Sequence, residues 1–491
     1  MKRSPDGLGP IVSLDRRAAR PLHRQLYDGY RDAILDGRLR AGQRLPSTRS
    51  LARELAVSRM PVVLAFEQLV AEGYVESRVG AGSFVSSQLR VRGDAGGPRA
   101  PAAPAARPGP RRLPRATLPV IDEPWLVGAG PFRIAQPAVD EFPVELWARL
   151  VARRARRLAR QHLMYGDAMG FAPLREALAE HLRTVRSARC TAQQIMIVNG
   201  SQQALALAAR ALIEPGDAVW VEEPGFGGAR DALRLAGARL VGVPVDDDGL
   251  DVAAGIARCR TVRAAYVTPS HQYPLGVILS APRRLQLLDW ARRTGAWLLE
   301  DDYDSEYRYD HQPIASLQGL DSDQRVIHIG TFSKVLFPAL RIGYVVIPLD
   351  LVARFRRIRE AMDNSPAPLH QAVLHDFFRE GHFARHLRRM RGIYAERRRA
   401  LVAAIERELG DTVRVLGDRA GMHVVVLLPR AARDREIAAR AERRGLSIVP
   451  LSSCYAVPGR HVRPGLVLGY GTTRVTEIAD AVRRLKASLA G

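Results

Sequence analysis

The sequence predicts a multidomain protein: an N-terminal winged helix-turn-helix and an α/β domain with a mainly parallel sheet and a C-terminal α+β subdomain. Three observations predict this. A three-helix pattern ending in a glycine-turned hairpin occupies residues 15–88. A linker is read over residues 89–129, because its Pro/Ala/Arg/Gly-rich stretch, residues 90–119, has almost no large apolar residues. Residues 130–491 then alternate apolar strands with amphipathic helices.

In the first segment, Leu22, Leu26, Tyr30, Ala33 and Ile34 recur at helical spacing, and Gly37 and Gly42 close that helix and its loop. Ser47 suits the N-cap of a second helix, STRSLARELA. Val57 falls in a turn, and Ser58 caps a third helix. Pro61 sits in the first turn of that helix, where a missing N–H costs little. Val62, Ala65, Phe66 and Leu69 give the third helix one apolar face. GYVESRVGAGSFV reads as strand, turn, strand: the wing.

In the second segment the strand candidates are QIMIVNG, DAVWVEEP, RLVGVPV, AAYVTPS, AWLLEDD, RVIHIGT and RIGYVVIP. Ligands in such sheets bind beyond the carboxyl ends of the strands. Several of these strands end in polar residues there. Residues 360–491 mix helices with shorter strands.

Charge and composition narrow the function. The formal net charge is +23, and residues 1–115 hold 21 Lys+Arg against 10 Asp+Glu. That quarter has about threefold the net charge per residue of the rest, which suggests a phosphate backbone as partner. Cys190, Cys259 and Cys454 lie far apart without metal-ligand spacing, so no metal site is expected and a reducing cytoplasm is. No apolar run is long enough for a membrane span, and MKRSPDGLGPIVSLDRR lacks the apolar core of a secretory signal. All but three of the 74 basic residues are arginine. The lysines are Lys2, Lys334 and Lys486. Arginine stays protonated and forms no Schiff base, so the one internal lysine is a candidate for amine chemistry.

The run AGQRLPSTRSLARELAVSRMPVVLAFEQLVAEGYVESRVGAGSFV resembles the GntR family of winged-helix regulators. The resemblance rests on Leu45-Pro46-Ser47, Arg49, Leu51-Ala52, Val57-Ser58-Arg59 and the wing Gly80-x-Gly82-Ser83-Phe84-Val85. It implies that Arg44, Ser47, Arg49, Ser58 and Arg59 face double-stranded DNA, with Arg78 and Gly82 on the wing. Arginine at the start of the third helix can read guanine edges bidentately.

GTFSKVLFPALRIGYVV resembles the Schiff-base lysine segment of fold-type I aminotransferases, in the form found in the MocR/GabR subgroup of GntR regulators. YGDAMGFAPLREALAEHL, NGSQQALAL, YVTPSHQYPLG and EDDYDSEYRY support it in the same order. The resemblance implies pyridoxal 5′-phosphate (PLP) as cofactor, held as an internal aldimine on Lys334. Asp301 is implied to pair with the pyridine nitrogen, a choice over Asp302 set by the family's D-x-Y pattern. Tyr303 is implied at the phenolate oxygen and Phe226 against the ring. Gly200, Ser201 and Gln202 open a helix whose N–H groups can hold the phosphate. Ser333 and Arg341 flank the lysine as further phosphate ligands, with Thr331 as another candidate. Tyr165 resembles the tyrosine lent to a neighbouring subunit, and the resemblance implies a homodimer. His271, Gln272 and Tyr273 are alternatives for the phenolate side.

The sequence departs from the family at two places. GABA-sensing members carry a tyrosine and an arginine in the EEPG segment. Phe226 and Gly228 stand there, so a GABA response is not expected. Aminotransferases carry an arginine for the substrate carboxylate near the last strand. Here GLVLGYG places Val467 at that position, with Arg463 and Arg474 out of register. The expectation is therefore a regulator that senses PLP or an amine effector. The alternative is an active aminotransferase with an accessory DNA-binding domain.

Overall fold

The computed structural model describes residues 12, 14–16, 18, 20–78, 81–87, 130–157, 163–309, 315–456, 459 and 461–490. The linker expected over residues 89–129 and Gly80 of the wing lie outside them. The chain divides into two compact units, Met1–Pro114 and Arg115–Gly491.

The first unit has helices α1 (Leu22–Leu35), α2 (Thr48–Glu54) and α3 (Arg59–Ala71) and strands β1 (Val75–Arg78) and β2 (Gly82–Val85). Each predicted element is present. Ser47 caps α2, its hydroxyl accepting from Ser50 N at 3.1 Å. Ser58 occupies the N-cap of α3 without a side-chain capping bond. The strands pair antiparallel from Val75↔Val85 to Arg78↔Gly82. Leu26, Tyr30 and Ile34 of α1 interlock with Val62, Phe66 and Leu69 of α3 in one buried core, closed by Val75 and Val85. Tyr30 and Phe66 meet edge to face, ring centroids 5.4 Å apart.

The second unit opens with α4 (Val144–Arg156) and α5 (Ala172–Arg186). Strands and helices then alternate: β3 (Ile195–Val198), α6 (Ser201–Leu212), β4 (Ala218–Glu223), α7 (Gly227–Leu235), β5 (Arg239–Asp246), β6 (Gly249–Leu250), α8 (Val252–Arg258), β7 (Ala264–Val267), α9 (Ala281–Thr294), β8 (Trp297–Asp302), α10 (Leu317–Leu320), β9 (Val326–Thr331) and β10 (Gly343–Val346). The sheet order is β3-β10-β9-β8-β7-β4-β5-β6. From β9 to β5 the pairing is parallel; β10 runs against β3 and β9, and β6 against β5. Strands β4, β7, β9 and β10 are buried along their length, as expected when helices cover both faces. All seven predicted strands are in this sheet.

The remainder is α11 (Val352–Asp363), α12 (Pro368–Arg379), α13 (His382–Leu409), β11 (Arg414–Leu416), β12 (His423–Leu427), α14 (Asp434–Arg443), β13 (Val449–Pro450), β14 (Gly465–Gly469) and α15 (Val475–Ala490). Its four strands form an antiparallel sheet of order β11-β12-β14-β13, the expected α+β subdomain. Among the described residues no helix is long and apolar enough to cross a membrane.

Candidate cofactor pocket and nucleic-acid interface

The carboxyl ends of β3, β8 and β9 bring the cofactor candidates together. Thr331 ends β9, and Ser333 N donates to its Oγ1 at 3.2 Å, which shapes the turn that presents Lys334. The Lys334 ammonium donates to Ala135 O at 2.8 Å. Ala135 holds a left-handed backbone (φ 63°), so the carbonyl that meets the lysine sits on a conformation non-glycine residues rarely adopt.

Asp301 and Asp302 end β8, where successive side chains point to opposite faces. Asp302 pairs with Arg186 at 2.8 Å, both side chains 3% exposed. Asp301 takes the other direction. Its Oδ2 accepts from the Tyr266 hydroxyl at 2.8 Å, while Oδ1 is buried and has no partner among the described residues. Burial pushes the Asp301 carboxyl up to about 6, against the Tyr266 hydrogen bond and the nearby Lys334 ammonium, which lower it. An orphaned buried carboxylate oxygen close to the lysine is what a protonated ring nitrogen would satisfy. Asp302 is engaged by Arg186, although its Oδ1, like Asp301 Oδ1, is buried without a hydrogen-bond partner among the described residues.

Three aromatic rings cluster beside them. Phe226 and Tyr273 lie edge to face with centroids 5.9 Å apart, and Tyr273 lies 6.4 Å from Tyr303. Of the three alternatives in YVTPSHQYPLG, only Tyr273 belongs to this cluster together with Phe226. Gln272 is committed elsewhere, donating to Glu222 Oε2 and to the Pro224 and Tyr273 carbonyls. His271 backs Tyr303: its Nδ1 is 3.2 Å from the Tyr303 hydroxyl and 3.0 Å from Asp304 Oδ2. Gly228 has no room for a side chain, since a Cβ there would lie 2.6 Å from the Phe226 ring and 2.7 Å from Gln202 Oε1. The arginine carried by GABA-sensing relatives at this segment would not fit without rearrangement.

The anion end is built on α6. Gly200 precedes it at φ 92°, and a Cβ there would meet the Arg341 guanidinium at 2.9 Å. Only glycine lets that arginine cross the helix N-terminus so closely. Arg341 itself is left-handed (φ 50°) and donates to Asn199 O. Ser201 begins the helix. Gln202 turns its amide to Gly228 O at 2.9 Å, which leaves its backbone N–H, rather than its side chain, as the group available to an anion. Tyr165 lies 87% exposed between exposed Met164 and exposed Gly166. Tyr165 is therefore a surface residue of this chain.

Val467 is fully buried in β14, between Val425 of β12 and Val449 of β13, and packs with Ile134 and Leu275. Arg463 is exposed. Arg474, 65% exposed, pairs with Asp140 at 3.6 Å. Neither compensates for the apolar residue at Val467.

Sequence reasoning missed four contributors: Tyr266, Ala135, His271 as the backing of Tyr303, and Asp304. Tyr266 alone carried a signal, being near the carboxyl end of the strand beside Asp301.

In the first unit the sequence-predicted residues Arg44, Ser47, Arg49, Ser58, Arg59, Arg78 and Gly82 are all exposed. The Arg44 guanidinium lies 3.5 Å from a Cβ built on Gly82, which joins the approach to α2 to the wing. Arg78 lies over the Phe84 ring, 4.8 Å to the centroid. Arg59 Nε is 3.4 Å from Thr48 Oγ1, so the starts of α2 and α3 share one edge.

The family comparisons match both units. The family of bacterial regulatory proteins, gntR, matches residues 22–85, and aminotransferase class I and II matches residues 137–482. The chain is 39% identical over 490 residues to a probable rhizopine catabolism regulatory protein, MocR, of Rhizobium meliloti, covering 97% of this chain and 96% of the relative. It is 30% identical over 483 residues to the pyridoxine biosynthesis transcriptional regulator PdxR of Corynebacterium glutamicum, covering 96% and 98%. Among solved structures, the α-aminoadipate aminotransferase LysN of Thermus thermophilus aligns with TM-score 0.71 at 30% identity, over 77% of this chain and 97% of that one. A winged helix-turn-helix joined to a fold-type I aminotransferase fold, with relatives matched over nearly its whole length, makes this chain a member of the MocR/GabR subgroup of GntR-family transcription regulators.

Proposed function

We propose that this regulator holds PLP on Lys334 and reports PLP or an amine effector to DNA through its winged helix. The observation that carries the reading is Asp301: buried, one oxygen held by Tyr266 and the other left unpartnered near the only internal lysine. Lys334 would hold the cofactor covalently and Asp301 its ring nitrogen. Phe226 and Tyr273 would enclose the ring, and Tyr303, backed by His271, would reach the phenolate oxygen. The N-terminus of α6 at Gly200, Ser201 and Gln202, with Arg341, Ser333 and Thr331, would receive the phosphate. Bound PLP supplies an electrophilic carbon that a primary amine can attack. Loading would shift the population between two states of the protein that differ in DNA affinity.

On the DNA, Arg44, Ser47, Arg49, Ser58, Arg59, Arg78 and Gly82 would form the contact surface. Two heads of a homodimer would read paired half-sites, with exposed Tyr165 completing the partner's phosphate site. A cytoplasmic location fits these roles.

A second reading, a working aminotransferase with an accessory head, is favoured by the 30% identity to LysN. Buried Val467 weighs against it, because it removes the usual anchor of a substrate carboxylate. The two separate on purified protein. Gel-shift titration on the DNA upstream of its own gene is expected to differ with and without PLP. Equal affinity and footprint in both would sink the sensing reading. Rapid amino-group exchange between amino acids and keto acids would favour the second.

A further inference from the structure

Helix α3 is apolar on two faces. Its inner face, Val62, Ala65, Phe66 and Leu69, is buried in the core of the first unit. The opposite face carries Met60 and Leu64, with Glu67 beside them and Val63 on the flank, while Arg59 leaves the first turn about 100° from Met60. Met60 is 64% exposed and Leu64 43%. At 100° per residue, Met60 and Leu64 stand within about 40° of each other, with Val63 on the adjoining flank. In the first two turns, then, the outer face offers Met60 and Leu64, with partly buried Val63 at its edge and exposed Arg59 around the helix from it.

Exposed residues of this size on one small helix face would ordinarily indicate a protein partner. Two observations point to nucleic acid instead. The patch lies on the helix that a winged helix-turn-helix places in the major groove. The same unit also exposes Arg44, Arg49, Arg59 and Arg78, and Arg59 links the start of α3 to Thr48 at the start of α2, a set of cations suited to phosphates.

We propose that this face reads thymine. In the major groove the one apolar group a base pair displays is the thymine 5-methyl, and Met60 with Leu64 is shaped to cover it beside a guanine taken by Arg59. The half-site then carries thymine next to the Arg59-read guanine. Specificity comes from excluding water from methyl groups, with Arg59 as the main hydrogen-bonding reader of α3. This extends the proposed function, and rests on its DNA-binding half alone.

The test uses the full-length protein and duplexes that it enriches from a random-sequence pool. Each thymidine of the enriched half-site is replaced singly by deoxyuridine, which removes the methyl group and keeps the base pair. The expected result is a loss of about fourfold in affinity at one or two positions, the worth of one buried methyl group each. Met60→Ala is expected to weaken the unmodified site and to abolish the difference between thymidine and deoxyuridine, at an unchanged salt slope. Met60→Leu is expected to keep most of that difference. Because Met60 is exposed, these variants leave the core intact, and an unchanged melting temperature verifies it. Enriched sites without thymine beside the guanine, or indifference of the wild type to deoxyuridine throughout, would overturn the inference while leaving DNA binding in place. Enrichment of no duplex at all would overturn both.

Discussion

The two units arrange their candidate residues in opposite ways. In the winged helix every one of them is exposed, each on a short local element. In the aminotransferase-like unit most are buried or half-buried and come from strands far apart in sequence. Arg59 lies on the surface. Asp301 is buried enough to be pushed up to about 6. The first unit can lose a contact residue and keep its fold. In the second, candidates such as Asp301 and Thr331 are also part of buried strands, so their substitution is expected to disturb the fold as well as the site.

Substituting Lys334 breaks the comparison most sharply. Lys334→Ala is expected to remove all covalent PLP, read as loss of the borohydride-fixed mass increment on the intact chain. DNA affinity without PLP is expected to stay within twofold of wild type. A fixed increment in the variant would sink the assignment of Lys334.

Arg59→Ala is the mirror experiment. DNA affinity is expected to fall about tenfold to a hundredfold, the usual range for a bidentate base contact. PLP absorbance is expected to stay unchanged. Binding isotherms over a salt series check it, and unaltered affinity at every salt concentration would remove Arg59 from the interface.

Asp301 sharpens the comparison through pH. Its carboxyl lies above the ordinary aspartate value of 3.8, at about 6 in the folded protein without cofactor. The folded state therefore binds more protons than the unfolded state between about pH 4 and 6. Stability from this group is full below about 4 and is lost as pH rises through 6. A protonated ring nitrogen reverses that cost, so PLP affinity is expected to rise as pH climbs through about 6. Asp301→Asn is expected to flatten that rise and weaken PLP binding about tenfold or more at pH 8. An unchanged pH profile in Asp301→Asn, measured by fluorescence titration, would show that another group sets it.

The smallest effect is at a cap. Ser47→Ala removes the hydroxyl that accepts from Ser50 N, and is expected to cost about 1 kcal/mol of the first unit's stability in urea unfolding. If Ser47 also touches phosphate, the variant loses DNA affinity beyond that of an equally destabilised core variant such as Val62→Ala.

The head was legible in the sequence nearly element by element. Helical spacing of Leu26, Tyr30, Val62, Phe66 and Leu69 fixes which faces are buried, and so which residues are left outside. Helix α3 showed the limit: its apolar inner face was read, but its second, exposed apolar face was not singled out. Hydrophobicity alone does not separate a core position from a base-reading one. The body was legible as strands, as an ordered set of motifs and as one internal lysine. What could not be read was the direction of side chains at strand ends. Asp301 and Asp302 differ by one residue and take different partners, Tyr266 for the first and Arg186 for the second.

The sequence by itself determined the two units, the strand set, the family and the residues able to do the chemistry. These are local or pattern properties: periodicity, turn residues, and a lysine where arginine serves elsewhere. The tertiary structure decided which partner each aspartate takes, which of His271, Gln272 and Tyr273 faces the aromatic cluster with Phe226, and that Val467 is packed on both sides by valines. Those depend on β3, β8, β9 and the small C-terminal sheet meeting in space. The energy of a buried charge or an apolar wall is set by neighbours distant in sequence, and no local pattern encodes them.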